Sequence, residues 1–138
     1  MRKKTSNLPR KRPSQERSAA TVAAILRAAA HILRQRGWAE FTTNSVAKRA
    51  GVSIGSLYQY FPSKEAILAA LAEQHGEEAI AILKQVVLSA SDKKLPIAET
   101  VRQYIQASVA MHAADPQLHR ILIDRIPYFT GKSPLMRK

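Results

Sequence analysis

The chain has 138 residues, of which 46% are hydrophobic and 6% aromatic, and it carries a formal net charge of +12. This length suits one domain, or one small domain and part of a second, with enough apolar residues to form a core. The absence of cysteine excludes disulfides, thiolate zinc sites and cysteine nucleophiles. The four histidines, His31, His75, His112 and His119, include no pair three to five residues apart, which argues against a structural metal site.

The positive charge is concentrated in the first half of the chain. Residues 1–64 contain 13 lysines and arginines against two acidic residues, whereas residues 65–138 contain nine against eight. This asymmetry predicts a polyanionic partner for the first half and a different task for the second. A basic tail that only improves solubility would give the same count.

Residues 1–16 predict a flexible basic arm. The segment contains two prolines and clustered charge. Together with Arg17, which follows it directly, the basic residues of the arm are Arg2, Lys3, Lys4, Arg10, Lys11 and Arg12. It lacks the apolar stretch of a secretory signal, and no window of the chain approaches 18 unbroken apolar residues. We therefore expect a soluble, intracellular protein with no membrane partner.

The next part of the chain predicts one long helix and two short ones. Periodicity begins near Ser18, where an apolar stripe starts that ends before Gly37; its members are Val22, Ile25, Leu26, Ala29, Ile32 and Leu33. A second helix should run from Thr42 or Thr43 to Ala50, since either hydroxyl can cap it. Gly51 would make a turn that needs positive φ, and Ser53 would cap a third helix reaching Tyr60.

The remaining residues predict three further helices and no strand. Ser63 would cap a long fourth helix, which residues 74–78 would bend or divide. Residues 89–96 predict a loop, Pro96 the start of a fifth helix, and Asp115–Pro116 the start of a sixth that stops at Pro127. The predicted fold is all-α, with the parts of a three-helix helix-turn-helix at residues 17–64 and further helices at residues 65–138.

The third predicted helix places hydrogen-bonding side chains on its outward face. Leu57 and Phe61, four residues apart, share the inward face. The residues left facing outward, with Tyr58 at the flank, are Ser53, Ser56, Gln59 and Tyr60, whose hydroxyl and amide groups suit phosphates and base edges. Gly55 would let the backbone approach the major groove. In the alternative interpretation, the tyrosines are half-buried surface aromatics and Gly55 is only a weak point in the helix.

Residues 42–68, TTNSVAKRAGVSIGSLYQYFPSKEAIL, resemble the DNA-binding signature of the TetR (tetracycline-repressor) family of bacterial transcriptional regulators. The matching elements are the threonine before the second helix, the pattern A..AGVS.G.LY.YF and the SKE that opens the fourth helix, within a likeness over about residues 18–70. Since the family reads DNA with its third helix, the resemblance implies base-edge contacts from Ser53, Ile54, Gly55 and Ser56. It implies backbone contacts from Tyr58, Gln59 and Tyr60, and phosphate contacts from Thr43 and Lys64.

Two groups of cations have alternative interpretations. Lys48 and Arg49 either touch the flanking DNA backbone or are simply solvated. The basic arm either follows the adjacent minor groove or, as we favour, adds only nonspecific, salt-sensitive affinity.

The resemblance also implies partners for the second half of the chain. It implies a homodimer on a palindromic operator, with half-sites about one helical turn apart, and an unknown small-molecule effector. It implies a helix-turn-helix DNA-binding domain at residues 17–64, followed by an incomplete helical regulatory domain, a partial effector-binding and dimerisation domain, at residues 65–138. Family members usually continue into two long dimerisation helices, so this chain is expected to be either a fragment or a truncated member that dimerises differently or not at all. Apolar faces after residue 97 would then be exposed. The candidate effector-binding residues are Tyr104, Met111, His112 and His119, with ordinary core and surface positions as the favoured alternative.

Together these features predict a ligand-responsive repressor of the bacterial cytoplasm, associated with the nucleoid and without a cofactor. The alternative function is a nonspecific or architectural DNA-binding protein that lacks an intact dimerisation region; steep salt dependence without sequence preference would identify it. An enzyme is rejected, because no Ser/His/Asp set, phosphate loop or carboxylate pair has a catalytic spacing.

Overall fold

The computed structural model describes residues 12–125, which form six α-helices and no strand within that range. The helices are α1 (Arg12–Arg36), α2 (Thr43–Ala50), α3 (Ile54–Tyr60), α4 (Lys64–Asp92), α5 (Ile97–Ala114) and α6 (Pro116–Arg125). The all-α prediction is confirmed. The predictions for residues 1–11 of the basic arm and for the stop at Pro127 lie outside the described residues.

The first helix begins at Arg12, earlier than the periodicity indicated. Residues 12–16, assigned from the sequence to the flexible arm, are therefore helical. Residues 14–17 are exposed, so this part of α1 has no apolar stripe from which the helix could be recognised. Only the part of α1 that packs against other helices carries that signal.

The core is built around α1, which contacts α2, α4 and α6. Ile25, Ala29 and Leu33 of the predicted stripe are fully buried. They pack in one cluster with side chains of the following elements, which include Phe41, Val46, Leu57, Ile67, Leu68 and Leu122. This cluster therefore joins the first three helices to α4 and α6, and it fixes the position of the short helices α2 and α3.

The fourth helix is one continuous element of 29 residues. Residues 74–78 do not divide it, which corrects one of the two sequence alternatives. The helix also continues to Asp92, so the predicted loop is limited to residues 93–96. Ala90 is buried, and its carbonyl accepts a hydrogen bond from the Leu95 N–H at 2.9 Å while Lys94 has a φ of +52°. This left-handed closure satisfies the last carbonyls of the helix.

A large apolar surface is exposed on α5 and on the second half of α4. No residue of α5 is buried. The exposed apolar side chains of the two helices are Ile80, Leu83, Val87, Leu88, Ile97, Val101, Ile105 and Val109. The sequence predicted such a surface after residue 97, and in the structure it begins earlier, on α4. Within residues 12–125, no helix has the length and apolarity needed to cross a membrane.

Candidate nucleic-acid interface

The turn between α2 and α3 is built from local hydrogen bonds and one glycine. The Thr42 hydroxyl accepts a hydrogen bond from the Ser45 N–H, and the Ser45 hydroxyl accepts one from the Thr42 N–H, both at 3.0 Å. This capping box fixes the start of α2. Gly51 ends α2 with φ +71° and ψ 29°, which confirms the predicted need for positive φ. The Val52 N–H then donates to the Ala47 carbonyl at 3.1 Å, and α3 follows directly.

The third helix has one buried face and one exposed face, as predicted. Leu57 is fully buried and Phe61 is 8% exposed. Ser53, Ile54, Gly55, Tyr58, Gln59 and Tyr60 are exposed. Ser56 differs because it is half-buried, and its hydroxyl accepts a hydrogen bond from the Ser53 hydroxyl at 2.8 Å. The Ser53 hydroxyl also accepts from the Ser56 N–H at 3.1 Å, so these two serines close the first turn of α3.

Two hydroxyl pairs flank the exposed face of α3. Thr43 Oγ1 and Tyr58 OH lie 3.0 Å apart, which joins the start of α2 to the middle of α3. The Tyr60 hydroxyl donates to Ser18 Oγ at 3.3 Å, which joins the end of α3 to α1. Sequence reasoning identified Thr43, Tyr58 and Tyr60 but missed Ser18, since no local pattern links residues so far apart.

Lys64 lies at the first turn of α4, beyond the cap that Ser63 provides by accepting the Ala66 N–H at 3.2 Å. Its Nζ atom is 4.4 Å from the centre of the Trp38 ring, and the guanidinium carbon of Arg125 is 4.7 Å from the same ring. Both distances fit cation–π contacts. Trp38 therefore holds the side chain of Lys64 at the start of α4, the end of that helix nearer to α3 along the chain.

Lys48 and Arg49 are exposed on α2 and line an open groove of about 1490 Å³ that α1, α4 and α6 also line. His31 of α1 lines the same groove. Partial burial and the guanidinium groups of Arg49, Arg34 and Arg36 lower its pKa. Arg49 of α2 therefore lies on the same side of the molecule as His31 and two arginines of α1.

The four candidate effector-binding residues separate into two pairs. His112 and His119 lie together, with ring centres 4.0 Å apart, and His75 of α4 completes a group of three. The pKa of His119 is lowered, chiefly by burial and then by the charges of His112 and His75. Tyr104 and Met111 are half-buried and do not line the groove, whereas His75 and His119 do. The sequence spacing of the histidines gave no indication of this grouping.

Comparisons with known proteins agree with the helix-turn-helix geometry. Residues 25–71 match the family model described as bacterial regulatory proteins, tetR family. The nucleoid occlusion factor SlmA of Vibrio vulnificus is 31% identical over 99 residues, which cover 71% of this chain and 48% of SlmA. The HTH-type transcriptional regulator EthR of Mycolicibacterium smegmatis is 47% identical over 49 residues, which cover 36% of this chain and 23% of EthR.

Solved structures show the same fold. A TetR-family transcriptional regulator from Haemophilus influenzae has a TM-score of 0.59 at 20% identity, over 78% of this chain and 55% of that one. A TetR-family regulator from Streptomyces coelicolor has a TM-score of 0.55 at 22% identity, over 85% and 71% of the two chains. The chain studied spans about half the length of the SlmA relative.

Proposed function

We propose that this chain, which belongs to the TetR family of bacterial regulatory proteins through its residues 25–71, is a repressor that reads double-stranded DNA with α3. The observation that carries the proposal is the two-faced α3. Leu57 and Phe61 fix one side in the core, so the opposite side is held outward on a rigid support. Sequence-reading contacts require such a surface, because a helix enters the major groove with its exposed side chains toward the base edges.

The exposed face of α3 divides into base-reading and backbone-binding parts. Ile54 and Gly55 lie in the first turn, where a recognition helix meets base edges, and Ser53 and Ser56 lie beside them. The Thr43–Tyr58 pair, at 3.0 Å, uses one hydroxyl proton internally and leaves the other for a phosphate oxygen. Gln59 and Tyr60 extend the same backbone-binding edge.

Lys64 would supply the main charge for phosphate binding on the other side of α3. It lies at the N-terminus of α4, where free backbone N–H groups also favour an anion. The contact with Trp38 limits the freedom of its side chain before DNA arrives, which reduces the entropy lost on binding. Lysine binds phosphate as a point charge, so this contact should contribute to affinity and not to sequence preference.

A repressor of this type would read an inverted repeat as a homodimer and leave it when an effector binds. Two recognition helices must fit successive major grooves, so an effector acts by favouring a dimer geometry in which they no longer do. The apolar surface of α4 and α5 supports burial against further protein, and the groove between α1, α4 and α6 supports an effector site. The same proposal assigns nonspecific DNA affinity to the basic arm, and it places the boundary between the DNA-binding and regulatory regions at residue 64.

Selection of bound duplexes from a random DNA pool tests the proposal. Enrichment of an inverted repeat supports sequence-specific binding as a dimer, and enrichment of a single half-site supports reading by α3 without dimerisation. Binding with no enriched sequence would contradict sequence-specific reading and favour the alternative, a nonspecific or architectural DNA-binding protein. Substitution of Ile54 or Ser56 by alanine should change the selected sequence more than it changes affinity for random duplex.

The contribution of Lys64 can be measured against a matched lysine. Lys84 is exposed on the same helix, roughly 30 Å farther along it at 1.5 Å per residue. Lys64→Ala should weaken binding to all duplexes and reduce the slope of log K against log salt by about 1, whereas Lys84→Ala should leave both unchanged. Equal effects of the two substitutions would contradict the phosphate contact.

A further inference from the structure

We propose that His75, His112 and His119 form a binding site for a divalent transition-metal ion, with zinc as the expected occupant. The three residues come from α4, α5 and α6, and one ligand nitrogen of each lies within 4.8 Å of the other two. The nitrogens of a tetrahedral zinc site lie roughly 3.4 Å apart, because each Zn–N bond is about 2.0–2.1 Å long. Small rotations of the imidazole rings are therefore enough to bring the three nitrogens onto one ion.

Two of the three ligand atoms are already close together. His75 Nε2 and His119 Nδ1 are 3.0 Å apart, so one of them donates a hydrogen bond to the other. A metal ion would replace this hydrogen bond with two metal–nitrogen bonds. The ring of His112 is 4.0 Å from that of His119 and 5.5 Å from that of His75, measured between ring centres.

The third ligand has the hydrogen bond that metal-binding histidines usually make. His112 Nδ1 lies 2.7 Å from the backbone carbonyl oxygen of Ser108, which can only accept, so Nδ1 carries the proton. This arrangement fixes the neutral tautomer and leaves a lone pair on Nε2, which is the form that binds a metal. The carbonyl of Ser108 would thus orient His112 and increase its basicity.

The surroundings of the cluster fit a transition metal that remains accessible to solvent. All three histidines are half-buried, and His75 and His119 line the open groove, which provides a path for entry. Three imidazoles suit zinc, copper or nickel, whereas magnesium and calcium need oxygen ligands. The carboxylate of Asp115, which also lines the groove, is paired with Arg34. Three histidines leave a fourth coordination position for water or a small molecule.

The site can be tested by titrating the 138-residue chain, purified without a polyhistidine tag and treated with a chelator, with zinc chloride in a calorimeter near neutral pH. We expect one zinc ion per chain. His112→Gln and His119→Gln should each weaken binding by about 10- to 100-fold or more, and His31→Gln should have no effect, since His31 lies on α1 outside the cluster. Cobalt bound to the chain should show the visible absorption of tetrahedral coordination, and the two cluster variants should lose it.

Each result decides for or against the site. Stoichiometric binding that the cluster variants lose and His31→Gln retains supports it. No binding of zinc, copper or nickel to the unsubstituted chain overturns it, as does binding that is equally strong in the cluster variants. If circular dichroism shows that a glutamine variant is unfolded, cobalt absorption of the unsubstituted chain decides: an octahedral spectrum, or none, overturns the proposal. None of these measurements uses DNA, so failure of the site is independent of failure of the proposed function.

Discussion

The turn at Gly51 allows the account of the helix-turn-helix to be tested quantitatively. We expect Gly51→Ala to lower the free energy of unfolding by about 1 kcal/mol. A residue with a Cβ atom pays about 1–2 kcal/mol in the left-handed conformation that Gly51 adopts at φ +71°. Part of this cost is offset by about 0.4–1 kcal/mol, because alanine reduces the freedom of the unfolded chain. No atom lies within 4 Å of the added Cβ, so the structure adds no steric clash to this sum.

Gly76 provides the matched control for this prediction. It lies in the interior of α4, is exposed, and also has no atom within 4 Å of an added Cβ, but its φ is not positive. Gly76→Ala should therefore raise the free energy of unfolding by about 0.5–1 kcal/mol, since glycine destabilises a helix interior. Urea unfolding followed by circular dichroism measures both values. The reasoning is refuted if both substitutions change stability in the same direction, or if Gly51→Ala is neutral.

Three further expectations concern DNA binding and pH. Gly55→Ala should leave the free protein at least as stable, because the added Cβ meets no atom within 4 Å. It should nevertheless weaken operator binding measured by fluorescence anisotropy, and an unchanged affinity would contradict close approach of α3 to DNA. Tyr60→Phe should weaken binding to random duplex by about 2- to 10-fold, the value of one hydrogen bond, while Tyr104→Phe, at a half-buried position on α5, should have no such effect. Stability should fall as the pH is lowered from about 7 to about 5, because the lowered pKa of His31 makes the folded state bind protons less readily than the unfolded state. His31→Gln should reduce that slope in urea unfolding, and an unchanged slope would exclude His31 as a source.

The helix-turn-helix could be predicted from the sequence because its signals are local. Each signal acts on backbone groups within a few residues, and each residue occupies its predicted cap or turn in the structure: Thr42, Gly51, Ser53 and Ser63. The inward positions of Leu57 and Phe61 followed from helical spacing alone. Predictions of this kind need no knowledge of how distant elements pack.

The features that the sequence did not predict depend on contacts between distant segments. The pairing of Tyr60 with Ser18 requires α3 to end beside α1. The histidine cluster requires α4 and α5 to run side by side, joined by the short connection 93–96, which brings His75 and His112 to similar distances from that connection. Spacing along the chain, which argued against a metal site, tests only ligands on one helix. Continuation of α4 to Asp92 similarly depends on burial of Ala90.

The position of Trp38 has a practical consequence. It is the only tryptophan in the chain, so the tryptophan fluorescence of the unlabelled protein originates at one known place. That place is in contact with Lys64 at the start of α4 and with Arg125 at the end of α6. If the Lys64 side chain moved from the indole ring to a DNA phosphate, or if α6 moved, the electric field at the ring would change. The molecule therefore contains its own spectroscopic probe, placed between the start of α4 and the end of α6.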